Sequence, residues 1–166
     1  MEKAVKAGNV RAIGVSNFQS YQVQDLMMHN EIKLTVNQIQ INPLNPENDN
    51  VKWLQDNDIV SEAWGPLGEG NKELFAEPVL NDIAKKYGKD VGQVMLRFEH
   101  QEGVIVFPKS SHEARIKSNM DIFDFELTSD EMYAIRNLDK GYGSYNPDAP
   151  GVEEMLLNAF DVHAND

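Results

Sequence analysis

The chain has 166 residues, a formal net charge of −12 at pH 7 and no cysteine. The lack of cysteine excludes disulfides, thiolate metal sites and a cysteine nucleophile, and the negative charge disfavours nucleic acid and anionic membrane surfaces as partners. Apolar residues make up 41% of the chain and charged residues 25%, the balance of one soluble globular domain. No segment has the apolar length of a membrane span or a secretory signal, so we expect a cytoplasmic protein.

The acidic residues are concentrated towards the carboxyl terminus. From Asp121 onward the sequence has 11 acidic and 2 basic residues. The simplest interpretation is a solvated acidic surface. Any anionic ligand must therefore be held by a local basic cluster that overcomes this background.

The first two β-like segments cover residues 10–15 and 35–41. The first is followed directly by Ser16 and Asn17, and the second alternates in period two. Each segment precedes apolar residues at helical spacing, which are Val23, Leu26 and Met27 after the first and Val51, Trp53 and Leu54 after the second.

The third β-like segment covers residues 59–64 and is stopped by a Gly-Pro pair. Two helices are predicted after it. The first spans about residues 78–87 and ends at Gly88, and the second begins after Asp90 as its cap and ends before Gly103.

The fourth β-like segment, residues 104–107, is stopped by Pro108. A helix is predicted from near His112. Another begins at Thr128, where a glutamate three residues later makes a capping box. Residues 141–166 are predicted to be a tail, with one amphipathic helix over residues 152–160.

Strands that alternate with helices predict parallel βαβ units with right-handed crossovers. Four such units cannot close an eight-stranded barrel, which needs roughly 250 residues. We therefore expect an α/β half-barrel or a small open parallel sheet, with strands in chain order and free edges at residues 10–15 and 104–107. Ile13, Val15 and Ile105, or their neighbours, are expected to lie on its uncovered face.

Polar and aromatic residues collect where these strands end, which is where parallel α/β folds bind ligands. Trp64 offers a flat surface for stacking. Lys109 and Ser110 precede a helix that contains Arg115, a combination that suits a phosphate group. Each feature alone also has a simpler interpretation as a turn, a core residue or a loop. Their position on one edge of the predicted sheet favours an anion-binding site.

Four segments together resemble successive motifs of the aldo-keto reductases, namely Arg11–Phe18, Val36–Pro43, Ala63–Gly68 and Pro108–Ser110. Residues 121–128 are similar to the stretch that follows the last barrel helix in that family. The resemblance covers residues 1 to about 140 in the family's order. It is nearest to bacterial members that reduce diketogluconate-like and other small carbonyl compounds.

The resemblance implies the carboxyl-terminal half of a (β/α)8 TIM barrel that uses NADPH without a metal. It assigns the nicotinamide carboxamide to Ser16, Asn17 and Gln38, and the nicotinamide ring to Trp64. It assigns the pyrophosphate to Gly65, Pro66, Leu67 and Gly68, the 2′-phosphate to Lys109, Ser110 and Arg115, and the adenine to Asn119. Ser118 and Phe107 depart from the residues usual in the family.

The resemblance places the family's catalytic Asp, Tyr, Lys and His in the first four βα units, whereas Met1 corresponds to a position within the fourth barrel helix. No catalytic residue is therefore expected in residues 1–166. Two interpretations remain open. The chain is a reductase fragment that keeps the cofactor-binding half, and it either binds the cofactor weakly by itself or acts when joined to a complementing amino-terminal half. Alternatively, it is a non-catalytic half-barrel that serves interaction or self-association.

Overall fold

A computed structural model describes residues 1–141, 143 and 149–159. The strands are β1 (Gly14–Ser16), β2 (Val36–Gln40), β3 (Val60–Trp64) and β4 (Ile105–Val106). The helices are α1 (Glu2–Lys6), α2 (Ser20–His29), α3 (Asn48–Asp56), α4 (Lys72–Ala76), α5 (Pro78–Tyr87), α6 (Val91–Gln101), α7 (Glu113–Met120), α8 (Ser129–Arg136) and α9 (Val152–Ala159). A short 3-10 turn covers Gly68–Gly70.

The four strands form one parallel sheet in the order β1-β2-β3-β4. This confirms the predicted topology, and among the described residues β1 and β4 are the edge strands, as predicted. The strands are shorter than the β-like sequence segments, and β1 pairs only from Gly14 and includes Ser16, one residue beyond the predicted segment. β4 retains just two paired residues, Ile105 and Val106.

One face of the sheet, the helix face, packs against α2 and α3. Ile39 and Ala63 are buried there, and Val15 and Val106 pack against the same core. Ile13, just before β1, is also buried in this core. The expectation that Ile13 and Val15 lie on the uncovered face is therefore wrong, because the pleat turns alternate residues of β1 towards the helices.

The opposite face of the sheet, which we call the open face, carries the residues that alternate along each strand with those on the helix face. Its members are Gly14, Val36 and Val60 in one row, Ser16, Gln38, Glu62 and Ile105 in the next, and Gln40 and Trp64 in the last. Val60 and Ile105 are 43% and 47% exposed. Gly14 sits so close to Val36 that any side chain at this position would collide with its backbone and side chain.

Several helix ends follow the sequence signals directly. The Asp90 carboxylate accepts a hydrogen bond from the Gln93 N–H at 2.8 Å, and Thr128 and Glu131 form a reciprocal capping box. Gly88 ends α5 in the left-handed conformation, with φ of 64°. These local interactions confirm the predicted helix starts and ends. α4 was not predicted, because its five residues are too few to show a periodic apolar pattern.

A second core joins α5, α6 and α8 and lies beside the carboxyl ends of the strands. Its fully buried members include Leu80, Met95, Phe98 and Ile135. In the tail, α9 confirms the predicted helix up to Ala159, and Phe160 lies outside the described residues. In the part of the chain that the structure describes, no helix is both long enough and apolar enough to cross a bilayer.

Glu99 is an unusual member of α6, because it is completely buried and neither of its carboxyl oxygens has a hydrogen-bond partner among the described residues. Burial raises the pKa of this carboxyl well above its ordinary value of 4.5. A raised folded-state pKa means that the carboxyl's contribution to stability is complete below about pH 4.5. That contribution is lost as the pH rises towards the folded-state pKa.

Glu99→Gln is therefore expected to increase the free energy of unfolding by about 1–3 kcal/mol at about pH 7.5, because glutamine removes the buried ionisable group and keeps its shape. The difference should vanish below about pH 4.5. Urea unfolding followed by circular dichroism, at one fixed protein concentration and several pH values, measures this. Glu126→Gln, at an exposed glutamate, is the matched control. A stability difference that does not change with pH would contradict the prediction.

Candidate functional site

A cleft of about 720 Å³ opens beside the carboxyl ends of β3 and β4. Three segments form its walls: the loop after β3, the amino-terminal end of α6, and the loop after β4 together with α7. Its position agrees with the general rule that parallel α/β folds bind ligands beyond the carboxyl ends of their strands. The predicted site residues in its lining are Gly65, Pro66, Leu67, Lys109, Ser110, Arg115 and Asn119.

The first wall is a tight turn that begins where β3 ends. Gly65 has a φ of 65°, and its carbonyl accepts a hydrogen bond from the Gly68 N–H at 2.8 Å. A side-chain carbon at Gly65 would meet the Glu69 carboxylate at 3.1 Å. The absence of a side chain thus keeps the backbone of this turn accessible from the cleft.

Gly68 lies on the other side of the same turn. Its α-carbon faces Leu74, and it lines a smaller pocket with Gln40 and Asn71. The structure therefore separates Gly68 from the other three residues of the predicted Gly65–Gly68 group. With a φ of 60°, Gly68 shapes the turn rather than lining the cleft.

The second wall is the β4–α7 connection. The Ser110 hydroxyl accepts a hydrogen bond from the His112 N–H at 3.1 Å, so Ser110 orders the start of α7. Arg115 and Asn119 lie one turn apart on α7 and both line the cleft. Phe107, which departs from the family pattern, also lines the cleft and is 50% exposed.

α7 is held in place by polar contacts at its far end. The Lys89 ammonium contacts the carboxylates of Asp121 and Asp124 at 2.7 Å each, and the Gln93 amide donates to the Asp121 carbonyl at 2.7 Å. The hydrogen bond from Lys89 lowers the pKa of Asp121. These contacts connect α7 to the start of α6, the two helices that contribute walls to the cleft.

The cleft contains charges of both signs. Lys109 and Arg115 form no salt bridge with any residue that the structure describes, so their charges are available to a ligand. Asp90 is engaged in capping α6, and Glu69 lies against the Gly65 turn. An anion is therefore best accommodated on the α7 side of the cleft, near the two cations.

A group of side chains that we call the polar row spans β1, β2 and β3 near their carboxyl ends. It contains the remaining predicted residues, which are Ser16, Asn17, Gln38 and Trp64. The Ser16 hydroxyl and the Asn17 N–H both donate to the Gln38 carbonyl, at 3.0 and 2.9 Å. The Trp64 indole N–H donates to the Asn17 side-chain oxygen at 2.7 Å. Asn17 has a φ of 59°, a left-handed conformation that asparagine tolerates better than most residues.

Glu62 is a member of this row that sequence reasoning missed. It lies opposite Gln38 in the β2–β3 register, and the Gln38 amide donates to its carboxylate at 3.0 Å. The signal that could have found it is the period-two spacing from Trp64, which places both side chains on the open face. The sequence alone does not show which residue of β2 pairs with Glu62.

The sheet, the cleft and the polar row define a class of protein, namely an α/β half-barrel with a cleft beside the carboxyl ends of its strands. Within the described ranges, the structure has no group of three or more His, Cys, Asp or Glu side chains arranged to hold a metal ion. The chain belongs to the aldo/keto reductase family, whose model matches residues 1–140.

Two relatives are named for small dicarbonyl substrates. The chain is 44% identical to the glyoxal reductase of Bacillus subtilis strain 168 over 140 residues, which are 84% of this chain and 50% of that protein. It is 38% identical to the methylglyoxal reductase DkgA of Escherichia coli K12 over 136 residues, 82% of this chain and 50% of that protein. The chain thus spans about half the length of the curated relatives it matches.

The crystal structure of a Bombyx mori aldo-keto reductase in complex with NADP superimposes with a TM-score of 0.82 at 35% sequence identity. The alignment covers 89% of this chain and 50% of that one. Aldo-keto reductases are (β/α)8 barrels, and four parallel strands with their helices account for half of one. The predicted fold class, the carboxyl-terminal half of such a barrel, is thereby confirmed.

Proposed function

We propose that this chain provides the NADPH-binding half of a carbonyl reductase. The observation that carries the proposal is the cleft, which brings Lys109, Ser110, Arg115 and Asn119 together with the Gly65–Leu67 turn. A cleft with an open backbone turn at one wall and two available cations at the other fits an extended molecule with several phosphates.

The nicotinamide end would lie in the polar row, where Ser16, Asn17 and Gln38 bind the carboxamide and Trp64 stacks on the ring. The pyrophosphate would lie along Gly65, Pro66 and Leu67, with Gly68 acting through the shape of the turn. Lys109, Ser110 and Arg115 would hold the 2′-phosphate, and Asn119 the adenine. When bound, NADPH supplies the hydride, and the chain's own residues orient the ring and hold the phosphates.

The substrate class proposed for the complete reductase is a small dicarbonyl compound, in line with the names of the glyoxal and methylglyoxal reductases. Two side chains that could donate a proton to the developing alkoxide, Tyr87 and His100, are engaged in contacts within the fold. The Tyr87 hydroxyl donates to Glu131 at 2.8 Å, and His100 packs edge-on against Phe123 with ring centroids 5.3 Å apart. We propose that the proton donor for carbonyl reduction comes from a complementing amino-terminal half, where the resemblance places the family's catalytic residues.

Arg115→Ala is expected to weaken NADPH binding by about 10- to 150-fold and to leave NADH binding nearly unchanged. Arg115 would form a charge-assisted hydrogen bond with the 2′-phosphate, and such a bond contributes roughly 1.5–3 kcal/mol. Calorimetric titration of the chain with each nucleotide measures both affinities.

Lys117→Ala is the matched control for Arg115→Ala, because Lys117 lies on the same helix but pairs with Glu113 at 2.7 Å. Lys117→Ala should reduce the affinities for NADPH and NADH only slightly and by the same factor. If Arg115→Ala weakened NADPH and NADH binding by the same factor, Arg115 would not be a 2′-phosphate ligand.

A second candidate function is suggested by the open face and by the two free strand edges. A half-barrel with these features can associate with a second copy or with a chain that carries four further βα units. We propose the complementing amino-terminal half as the partner, because it would close the barrel and supply the family's catalytic residues. Self-association is the alternative, and the two are distinguished by the experiments in the Discussion.

A further inference from the structure

The polar row contains two side-chain amides, Gln38 and Asn17, and they use opposite ends in their hydrogen bonds within the row. The Gln38 amide nitrogen donates to the Glu62 carboxylate, which can only accept, so the Gln38 Oε1 atom is the end directed away from Glu62. At Asn17 the arrangement is reversed. The Trp64 indole N–H can only donate and is bonded to the Asn17 oxygen, so the Asn17 amide nitrogen remains to donate elsewhere.

The two amides of the row therefore present one donor, at Asn17, and one acceptor, at Gln38. A primary carboxamide has one carbonyl oxygen and one NH2 group, so it matches this pair in one orientation only. A carboxylate has two acceptors and no donor, and it would meet the Gln38 oxygen without a hydrogen bond.

We infer that Glu62 is a positioning residue that fixes the Gln38 amide with its oxygen towards the ligand, so that the site selects a nicotinamide over a nicotinic acid ring. The inference rests on the proposed function and adds to it a cause of specificity. A glutamine amide has nearly the same shape in both flipped orientations, so packing alone does not choose between them. The carboxylate of Glu62 chooses, because it accepts from NH2 and repels the amide oxygen.

The test compares the binding of three ligands to residues 1–166 by calorimetry: NADP⁺, nicotinic acid adenine dinucleotide phosphate, and 2′-phospho-ADP-ribose, which has no pyridine ring. The wild-type chain should bind NADP⁺ about 10-fold more tightly than the nicotinic acid analogue, since an unsatisfied polar contact is roughly of this size. In Glu62→Gln, the new amide can donate to Gln38 and permit the flip. The preference should then fall at least about 3-fold, with 2′-phospho-ADP-ribose binding unchanged.

Glu62→Ala is the second variant, and it should also lower the preference because nothing then orients Gln38. Glu69→Gln is the matched control. Glu69 is also a glutamate and lines the cleft, whereas the Gln38 amide donates its hydrogen bond to Glu62. Glu69→Gln should change the affinities for both dinucleotides together and leave their ratio unaltered.

An unchanged preference in both Glu62 variants would overturn the inference, and so would wild-type binding of NADP⁺ no tighter than that of 2′-phospho-ADP-ribose. In both outcomes the proposed NADPH site could still stand. Failure of the wild-type chain to bind 2′-phospho-ADP-ribose at all would overturn the proposed function, and the inference with it.

Discussion

Residues 1–166 alone are expected to turn over carbonyl substrates far more slowly than about 1 s⁻¹, the lower end of the ordinary enzyme range. Hydride transfer to a carbonyl creates an alkoxide that must be protonated or stabilised. A positioned proton donor alone contributes typically about 10²–10⁴-fold, and the resemblance places the family's Tyr, His and Lys before Met1. The chain would thus bind NADPH, the hydride donor, but would lack the proton donor that makes hydride transfer fast.

NADPH oxidation with glyoxal and methylglyoxal, followed by absorbance, measures this expectation. The positive control is the full-length glyoxal reductase of Bacillus subtilis, which is 44% identical to this chain over their shared region. Adding the amino-terminal half of that reductase to residues 1–166 should raise the rate by at least about 10²-fold. Turnover above about 1 s⁻¹ by the chain alone would show that its own residues include a proton donor.

The chain is also expected to associate at micromolar concentration instead of remaining a monomer. Strands β1 and β4 are the edge strands in the part of the chain that the structure describes, and unpaired N–H and C=O groups at such edges favour pairing with another chain. The open face adds a smaller apolar contribution, because Val60 and Ile105 are 43% and 47% exposed and Ile13 and Val15 are covered by the helices.

Covering those two half-exposed side chains contributes about 1.5–3 kcal/mol in total, which is small beside an ordinary domain stability of about 5–15 kcal/mol. Exposure of Ile13 and Val15 as well would have made the isolated chain prone to unfold. The structure has two buried cores, and we therefore expect the chain to stay folded and to associate through its strand edges.

Light scattering over a dilution series measures the assembly, with near-ultraviolet circular dichroism as the check on packing. Ile105→Lys should shift the chain towards monomer, because it places a charge on the edge strand. Met28→Lys is the control, at a 73% exposed methionine on α2. A compact wild-type monomer at micromolar concentration would contradict the prediction. Formation of a one-to-one complex with the amino-terminal half would favour complementation over self-association.

The sequence predicted the order of the elements, most of the helix ends and the edge of the sheet where the cleft lies. The caps at Asp90 and Thr128 and the stop at Gly88 depend on residues within four positions of each other, so a linear reading finds them. The position of Lys109 and Arg115 beyond a strand end likewise follows from chain order once the sheet is parallel.

The tertiary structure alone decided how side chains from different strands meet. β1 has only three paired residues, which is too short for the alternation to show that Val15 faces the helices. The separation of Gly68 from Gly65 arises from the geometry of the turn, not from spacing. The contact between Gln38 and Glu62 depends on the register of β2 against β3. Register is set by packing across the whole sheet, so no local pattern in either strand specifies it.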